Sequence, residues 1–314
     1  MCAVHHEAYV LCGPTATGKT AVAHLLAADL NAVILSADAM LVYRGMDIGT
    51  AKPTAAERAR FGYGGLDLVE PGATFDVAAW LDHAQHFLER ARAAGRPVLV
   101  VGGTGLYVKW LLTGLTAQPS ADPVWRAAAE KMSLAELQTQ LQQLDAARFA
   151  ALTESDRQNP RRLIRAVELV RAPPSPVDSA APGGQALEPT AAPACLTLPA
   201  PLLWQRIESR VAAMFDQGLL EEARQLRGQF PQLSASAQQA IGYAEAFAVL
   251  DGGLTEQAAR ERIAIRTRQL AKRQLTWFKH QSAVAWVAAD APPAAVAANV
   301  RKIWSDHGPS ALAY

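Results

Sequence analysis

Residues Gly13 to Thr20 read GPTATGKT and fit the phosphate-loop pattern G-x-x-x-x-G-K-[ST]. The pattern has physical meaning only between a buried strand and a helix start. Both flanks comply: Ala8 to Cys12 is a short apolar run, and Ala21 to Leu26 has helical character. Gly13 and Gly18 let backbone amides turn toward an anion. Lys19 adds a point charge, Thr20 offers a hydroxyl to magnesium, and the helix start contributes its positive end. Lys-Thr directly after the second glycine argues against an ordinary glycine-rich turn. The motif specifies a polyphosphate. It does not say which one, or whether phosphate is transferred.

The same alternation continues downstream. Ala32 to Ser36 and Pro97 to Val101 read as further buried strands, and Val77 to Ala94 between them has helical spacing closed by Gly95. Strands alternating with helices predict a parallel sheet covered on both faces, with ligands at the carboxyl ends of the strands. Gly13 to Thr20, Asp38 and Gly102-Gly103-Thr104 therefore share one rim. From about Ser120 the pattern turns purely helical. Leu134, Leu137, Leu141 and Leu144 recur at helical steps behind Ser133 as N-cap. Ala172 to Pro193 is rich in Pro, Ala and Gly and reads as a linker. Strand character returns at Cys195 to Leu198. The expected fold is α/β: a P-loop NTPase-like parallel sheet core, residues 1–116 and 194–314, with an all-helical domain inserted at 117–193 and a basic helix near the C-terminus.

No apolar run in the 314 residues reaches the roughly 18 to 20 needed to span a membrane. Met1 to Tyr9 lacks a basic-then-apolar leader, so a cytoplasmic protein is expected. Cys2, Cys12 and Cys195 are scattered, without metal-ligand spacing, and read as reduced thiols. His83 and His86 lie three apart on a helix with no third ligand nearby, and read as solvated surface rather than a metal site.

A formal net charge of +1 argues against a generally basic nucleic-acid binder, but the charge is unevenly placed. Taken as a helix, Glu256 to Phe278 puts Arg262, Arg266 and Arg273 on one side with Arg268 and Lys272 nearby. Ile263, Ala264, Leu270, Ala271, Leu275, Trp277 and Phe278 fill the opposite arc. Only Glu256 and Glu261 within the helix offset its positive charge. Arg157, Arg161, Arg162, Arg165 and Arg171 form a second cluster. Two such elements can bracket a polyanion, although a solvated face explains each one alone.

Asp38 follows the second strand after one residue. Its place near a phosphate loop leaves three roles open: proton acceptor, magnesium ligand or helix cap. The third strand ends in Gly102-Gly103-Thr104 and lacks the carboxylate of a Walker-B hydrolase. These parts suit an enzyme in which phosphate departs and another group is transferred. A nucleoside or small-metabolite kinase remains the main alternative.

GPTATGKT (13–20), SADAMLVYRGMDIGTAKP (36–53), VGGTGLYVKWLLTGL (101–115), PRRLIRAVEL (160–169), AIGYAE (240–245) and TRQLAKRQLTWFK (267–279) together resemble, in order, the signatures of the tRNA dimethylallyltransferase (tRNA isopentenyltransferase) family. The resemblance implies transfer of a dimethylallyl group from dimethylallyl diphosphate to the exocyclic amine of the adenosine on the 3′ side of the anticodon, in tRNAs reading codons that begin with U. It implies that Gly13, Pro14, Thr15, Ala16, Thr17, Gly18, Lys19 and Thr20 hold the diphosphate, with Mg2+ at Thr20. Asp38 would be the general base, and Arg210 would sit near the departing diphosphate beside Lys19. Asp38, Ala39, Met40 and Leu41, together with Arg161, Arg162, Leu163, Ile164 and Arg165, match stretches that contact the tRNA anticodon stem-loop. Thr104 and Arg126 match two further tRNA-facing positions, Thr104 close to the chemistry. A monomer is expected. One departure stands out: the family pattern after the second strand is Asp-Ser-x-Gln-x-Tyr, and Ala39 and Leu41 replace its Ser and Gln. A related transferase acting on free AMP would not need the helical insertion or the basic helix. A pure RNA-binding module would have no use for Lys19, Thr20 and Asp38.

Overall fold

The computed structural model describes residues 6–114, 122–172 and 192–313. The chain divides into two compact units, Met1–Gly114 with Leu187–Tyr314, and Leu115–Ala186. The expected domain start at 117 and most of the linker Ala172 to Pro193 lie outside the described residues.

The first unit runs β1 (His6–Cys12), α1 (Lys19–Leu30), β2 (Val33–Ser36), α2 (Ala55–Phe61), α3 (Val77–Ala93), β3 (Val98–Gly102) and α4 (Gly105–Thr113). The second unit contributes α5 (Pro123–Ala129), α6 (Leu134–Leu144), α7 (Ala146–Ala151), α8 (Glu154–Arg157) and α9 (Pro160–Arg171). The first then resumes with β4 (Ala194–Thr197), α10 (Ala200–Asp216), α11 (Leu219–Gln229), α12 (Tyr243–Leu250), α13 (Glu256–Gln281), β5 (Ala285–Ala288), α14 (Pro293–His307) and β6 (Ser310–Leu312).

Among the described residues the strands form one sheet in the order β2-β3-β1-β4-β5, all parallel, with β6 antiparallel on β1. Buried residues fill both faces of β2 and β3, as a sheet covered on both sides requires. Register brings Cys12 beside Gly102 on one side and beside Cys195 on the other. Ser36 pairs with Val101. The carboxyl ends of β1, β2 and β3 thus deliver the phosphate loop, Asp38 and Gly103-Thr104 to one rim, as the alternation predicts. Gly13 is obligatory at its place. Its φ is +137°, and an added Cβ would lie 2.6 Å from the Leu196 carbonyl oxygen on β4.

The second unit is built on local capping. Ser133 and Glu136 form a capping box at α6, Thr153 and Asp156 form another at α8, and Asn159 caps α9 ahead of Pro160. Its core is Ala129, Leu137, Leu141, Leu163, Ile164, Ala166 and Val167, with Trp125 and Phe149 packed alongside. Leu137 and Leu141 are fully buried as the spacing predicts, whereas Leu144 at the helix end is exposed.

Candidate active site

The loop's first task is to hold its own shape. The Thr17 hydroxyl donates to the Pro14 carbonyl at 2.9 Å and is buried, so this side chain shapes the cradle instead of facing a ligand. Gly13 and Pro14 serve the same end: their carbonyls accept from Lys19 Nζ at 2.8 and 2.7 Å. Expectation is corrected on that point. Of the eight loop residues, Thr15, Ala16, Gly18, Lys19 and Thr20 line the cavity above the loop, and Gly13, Pro14 and Thr17 build it from behind. Burial pushes the Lys19 amine down to about 8; Asp38 pulls it upward and Arg210 lowers it further.

Two cavities meet at this rim. One, of about 300 Å3, is the cradle, walled also by Ser36, Leu41, Pro53, Tyr63, Gly102 and Arg206. The other, of about 500 Å3, is bounded by Ala39, Met40, Thr104, Met214, Ile241, Ile263, Leu270 and Arg273. Thr15, Asp38, Thr50, Arg210 and Gln274 line both. Asp38 therefore stands where a molecule in one cavity meets a molecule in the other. Its Oδ1 accepts from the Met40 amide at 2.9 Å, which fixes the turn after β2. Thr104 braces the same turn: its amide donates to the Ala37 carbonyl, and its Oγ1 accepts from the Ala39 amide at 3.0 Å. The Thr104 hydroxyl proton remains available to the larger cavity. The turn also separates neighbours. Ala39 and Met40 face the larger cavity, but Leu41 lines the cradle, so it does not share the surface expected for the whole 38–41 stretch.

Arg210 reaches the rim from α10. Its guanidinium donates to Thr15 Oγ1 and to the Thr50 carbonyl, both at 3.2 Å, while its buried Nε has no partner among the described residues. Burial lowers its pKa, opposed by Asp38. Asp38 is the one carboxylate among the described residues walling the cradle, against three cations, Lys19, Arg206 and Arg210. The excess is suited to an anion carrying several charges.

Three supporting residues have no role assigned from the sequence, although Gln274 lies within the 267–279 signature. Gln274 on α13 accepts from the Thr15 amide at 2.8 Å and donates to the Gly103 carbonyl at 2.9 Å, tying the loop to the third-strand rim. Gly103 makes room for it: an added Cβ would lie 2.4 Å from Gln274 Nε2. A signal existed, because Gln274 falls in the apolar arc of its helix, where an amide demands a buried partner. Arg206 on α10 donates to the Thr17 and Ala289 carbonyls, bracing the loop against the residue that follows β5. Glu222 accepts from the amides of Asp47, Ile48 and Gly49 and from the Tyr243 hydroxyl at 2.7 Å. Burial and Glu222 push the Tyr243 phenol up, keeping it a donor. That clamp fixes the segment whose next carbonyl, at Thr50, holds Arg210. The same segment hides Lys52, whose fully buried amine pairs with Asp47 at 2.8 Å and Asp67 at 2.6 Å.

The basic elements are less free than their sequences suggest. On α13, Arg266 pairs with Glu245 at 2.5 Å, Arg268 with Glu208, and Arg260 with Glu256. Carboxylates from α10 and α12 thus neutralise what the helix alone leaves positive. Arg262, Lys272 and Arg273 remain exposed without ion pairs among the described residues. Trp277 packs on Gly105, where an added Cβ would lie 1.9 Å from its ring. His83 Nε2 accepts from the Gly65 amide, a structural role.

In the second unit, Arg126 makes a bidentate pair with buried Glu168 at 2.8 and 2.7 Å, and Arg165 joins it at 3.1 Å. Arg162 pairs with Asp156, and Arg157 caps the Phe149 and Ala150 carbonyls. Leu163 is 0% and Ile164 6% exposed, both in that unit's core. Their side chains are therefore unavailable to tRNA, which corrects that expectation. Arg161 is exposed and its side chain has no partner among the described residues.

The cradle also fits magnesium. Thr20 supplies a hard oxygen in its wall and the buried Ser36 hydroxyl beside it has no partner among the described residues, so the remaining ligands would come from phosphate and water.

A parallel sheet with a phosphate cradle, no carboxylate at the end of β3, and a second cavity sharing Asp38 defines a P-loop protein arranged for group transfer. The family description "IPP transferase" matches residues 41–281, and "Isopentenyl transferase" matches 6–61. A tRNA dimethylallyltransferase of Anaeromyxobacter sp. (strain K) is 40% identical over 96% of this chain and 98% of its own length. One from Deinococcus radiodurans is 42% identical over 87% of this chain and 89% of its own. The crystal structure of the full-length tRNA isopentenylpyrophosphate transferase of Bacillus halodurans superposes with a TM-score of 0.69 at 32% identity, covering 96% of this chain and 98% of that one. A eukaryotic dimethylallyltransferase, captured acting on tRNA, shares the fold at 20% identity and a TM-score of 0.74, covering 96% of this chain and 76% of that one. The chain belongs to the tRNA dimethylallyltransferase, or IPP transferase, family.

Proposed function

We propose that this protein transfers the dimethylallyl group of dimethylallyl diphosphate to the exocyclic amine of the adenosine 3′-adjacent to the anticodon, in tRNAs that read codons beginning with U. One observation carries the reading: a cationic cradle and a larger cavity share a single carboxylate, Asp38, and a single buried arginine, Arg210. The diphosphate would lie over Thr15 to Thr20 with its allylic carbon toward the shared wall. The adenine, drawn out of the anticodon-loop stack, would enter from the larger cavity. Extrusion costs a few kcal/mol, which the cavity's apolar wall of Met40, Ile241, Ile263 and Leu270 helps to offset.

The allylic carbon–oxygen bond breaks with its electron pair going to the diphosphate. Lys19, Arg210 and the loop amides stabilise that growing charge. The amine's lone pair forms the new carbon–nitrogen bond, and its proton passes to Asp38. Magnesium, held at Thr20, would neutralise part of the diphosphate charge. The apolar wall of Met40, Ile241, Ile263 and Leu270 beside the junction limits attack by water on the allylic carbon. Arg161 of the second unit and, on the first, Arg262, Lys272 and Arg273 of α13 are the proposed contacts to the tRNA anticodon stem-loop. Both cavities are walled by one chain, which supports a monomeric enzyme. No helix among the described residues is long and apolar enough to cross a membrane, and the buried free thiols of Cys12 and Cys195 suit the cytoplasm.

The test is nucleoside mass spectrometry of unmodified tRNA incubated with the protein, dimethylallyl diphosphate and Mg2+. A gain of one C5H8 unit on a single adenosine is expected. Transfer of γ-phosphate from labelled ATP, with tRNA unchanged, would establish the kinase alternative instead.

A further inference from the structure

Ser36 closes β2, and everything about it is fixed except its hydroxyl. Its amide donates to the Gly64 carbonyl at 2.9 Å, and its carbonyl accepts from Trp80 Nε1 at 3.0 Å. Gly65 packs so closely that an added Cβ would lie 2.5 Å from the Ser36 carbonyl oxygen. The residue is 3% exposed, and its Oγ has no hydrogen-bond partner among the described residues. The preceding residues Val33, Ile34 and Leu35 are apolar and buried. A hydroxyl left unpaired in such a place costs roughly 1–3 kcal/mol, so alanine would suit the strand better unless a ligand completes the serine.

Ser36 belongs to the cradle wall, in the same cavity as Thr20, Lys19 and Asp38. The adjoining strand contributes Val101 and Gly102 there, and at Gly102 an added Cβ would lie 2.1 Å from the Ala37 carbonyl oxygen. No side chain from that position can occupy the space or supply the carboxylate of a Walker-B site. Magnesium sheds its water reluctantly and keeps several waters when bound to phosphates. With Thr20 assigned to the ion itself, a second hydroxyl is left to accept from a metal-bound water, whose protons are acidic.

Resting on the transferase reading above, we infer that Ser36 is an outer-sphere binding residue for the magnesium–diphosphate unit, its Oγ accepting from a water carried by the ion.

Calorimetry with inorganic pyrophosphate tests this without turnover. Titrations of wild type, Ser36→Ala and Ser36→Cys are run with Mg2+ and again with EDTA. Both variants should bind pyrophosphate about five- to thirty-fold more weakly in Mg2+ and within about twofold of wild type in EDTA. The melting temperature of the empty Ser36→Ala protein should be unchanged or raised, since an orphan hydroxyl is removed. If the alanine variant fails to fold, the cysteine variant keeps the volume and gives the same reading. Equal losses with and without Mg2+, or no loss, would overturn the assignment while leaving the cradle intact. Wild type that does not bind pyrophosphate at all would remove the cradle reading, and this inference with it.

Discussion

The cradle and the second unit both collect positive charge, but they hold it differently. At the cradle, Lys19 and Arg210 are steadied by backbone carbonyls and a threonine hydroxyl, and Asp38 is the lone carboxylate nearby among the described residues. In the second unit, Arg126 and Arg165 share Glu168, and Arg162 pairs with Asp156. A cation held by neutral dipoles keeps its charge for a ligand. A cation held by a carboxylate has spent most of it on the fold. The two regions therefore predict different consequences for superficially similar substitutions.

The largest effect tests the cradle's one carboxylate. Asp38→Ala should lower single-turnover prenyl transfer by roughly 10²- to 10⁴-fold, while tRNA affinity stays within a few-fold by filter binding. Near-normal turnover would remove Asp38 as the base. Next is Arg210→Ala, which withdraws a donor from the growing negative charge. Its turnover should fall by about 10²- to 10³-fold, with the melting temperature little changed because its partners, Thr15 and Thr50, are neutral. A large loss of stability with intact turnover would place Arg210 with the structural arginines instead.

Lys19 gives the comparison a pH signature. Its folded-state pKa, about 8, lies below the ordinary 10.5 because burial disfavours the ammonium. The unfolded chain therefore binds this proton more tightly. The Lys19 contribution to stability is unfavourable below about pH 8 and is relieved as pH rises from 8 toward 10.5. Pyrophosphate binding should run the opposite way. The anion favours the charged amine, so affinity should weaken as pH rises above about 8, beyond what the titration of pyrophosphate itself produces. Proton uptake on binding, measured by calorimetry in buffers of different ionisation enthalpy, should peak above about pH 8. The same net uptake at about pH 8.5 in wild type and in Lys19→Met, which carries no titrating amine, would mean that Lys19 does not gain a proton on binding.

How much was visible beforehand follows the same division. The loop, the alternation that orders β1 to β3 and the placement of Asp38 are local in sequence, and local patterns set them. Ser133 announces its helix within three residues, and the structure adds caps of the same kind at Thr153 and Asn159. What was hidden is long-range pairing. Gln274 meets Thr15 and Gly103, Glu222 meets Asp47 to Gly49, and Glu168 meets Arg126, all across separations that no periodicity encodes. A helical projection places Arg266 and Arg268 on a cationic face, but it cannot see that Glu245 and Glu208 arrive from other helices. Leu163 and Ile164 show the complementary error. A contiguous stretch matched to tRNA contact includes the residues that anchor it, because a helix turns positions three and four apart, Leu163 with Ala166 and Ile164 with Val167, toward the core.

The smallest effects distinguish the two kinds of arginine within the second unit. Arg161 is exposed and uncommitted among the described residues, so a phosphate contact there breaks nothing in the fold. Arg161→Ala should lower the salt slope of tRNA binding by about 0.7 to 0.9 and leave the melting temperature unchanged. Arg126→Ala removes the bidentate partner of a carboxylate whose side chain is 3% exposed. Arg165 still reaches Glu168, so the loss is partial, on the order of 1–3 kcal/mol, and it should appear as a lower melting temperature with a nearly unchanged salt slope. If Arg126→Ala instead flattens the salt dependence as Arg161→Ala does, its guanidinium leaves Glu168 for the RNA. The bidentate pair would then be a resting contact that the substrate displaces, and the contrast between the two regions would hold only for the empty protein.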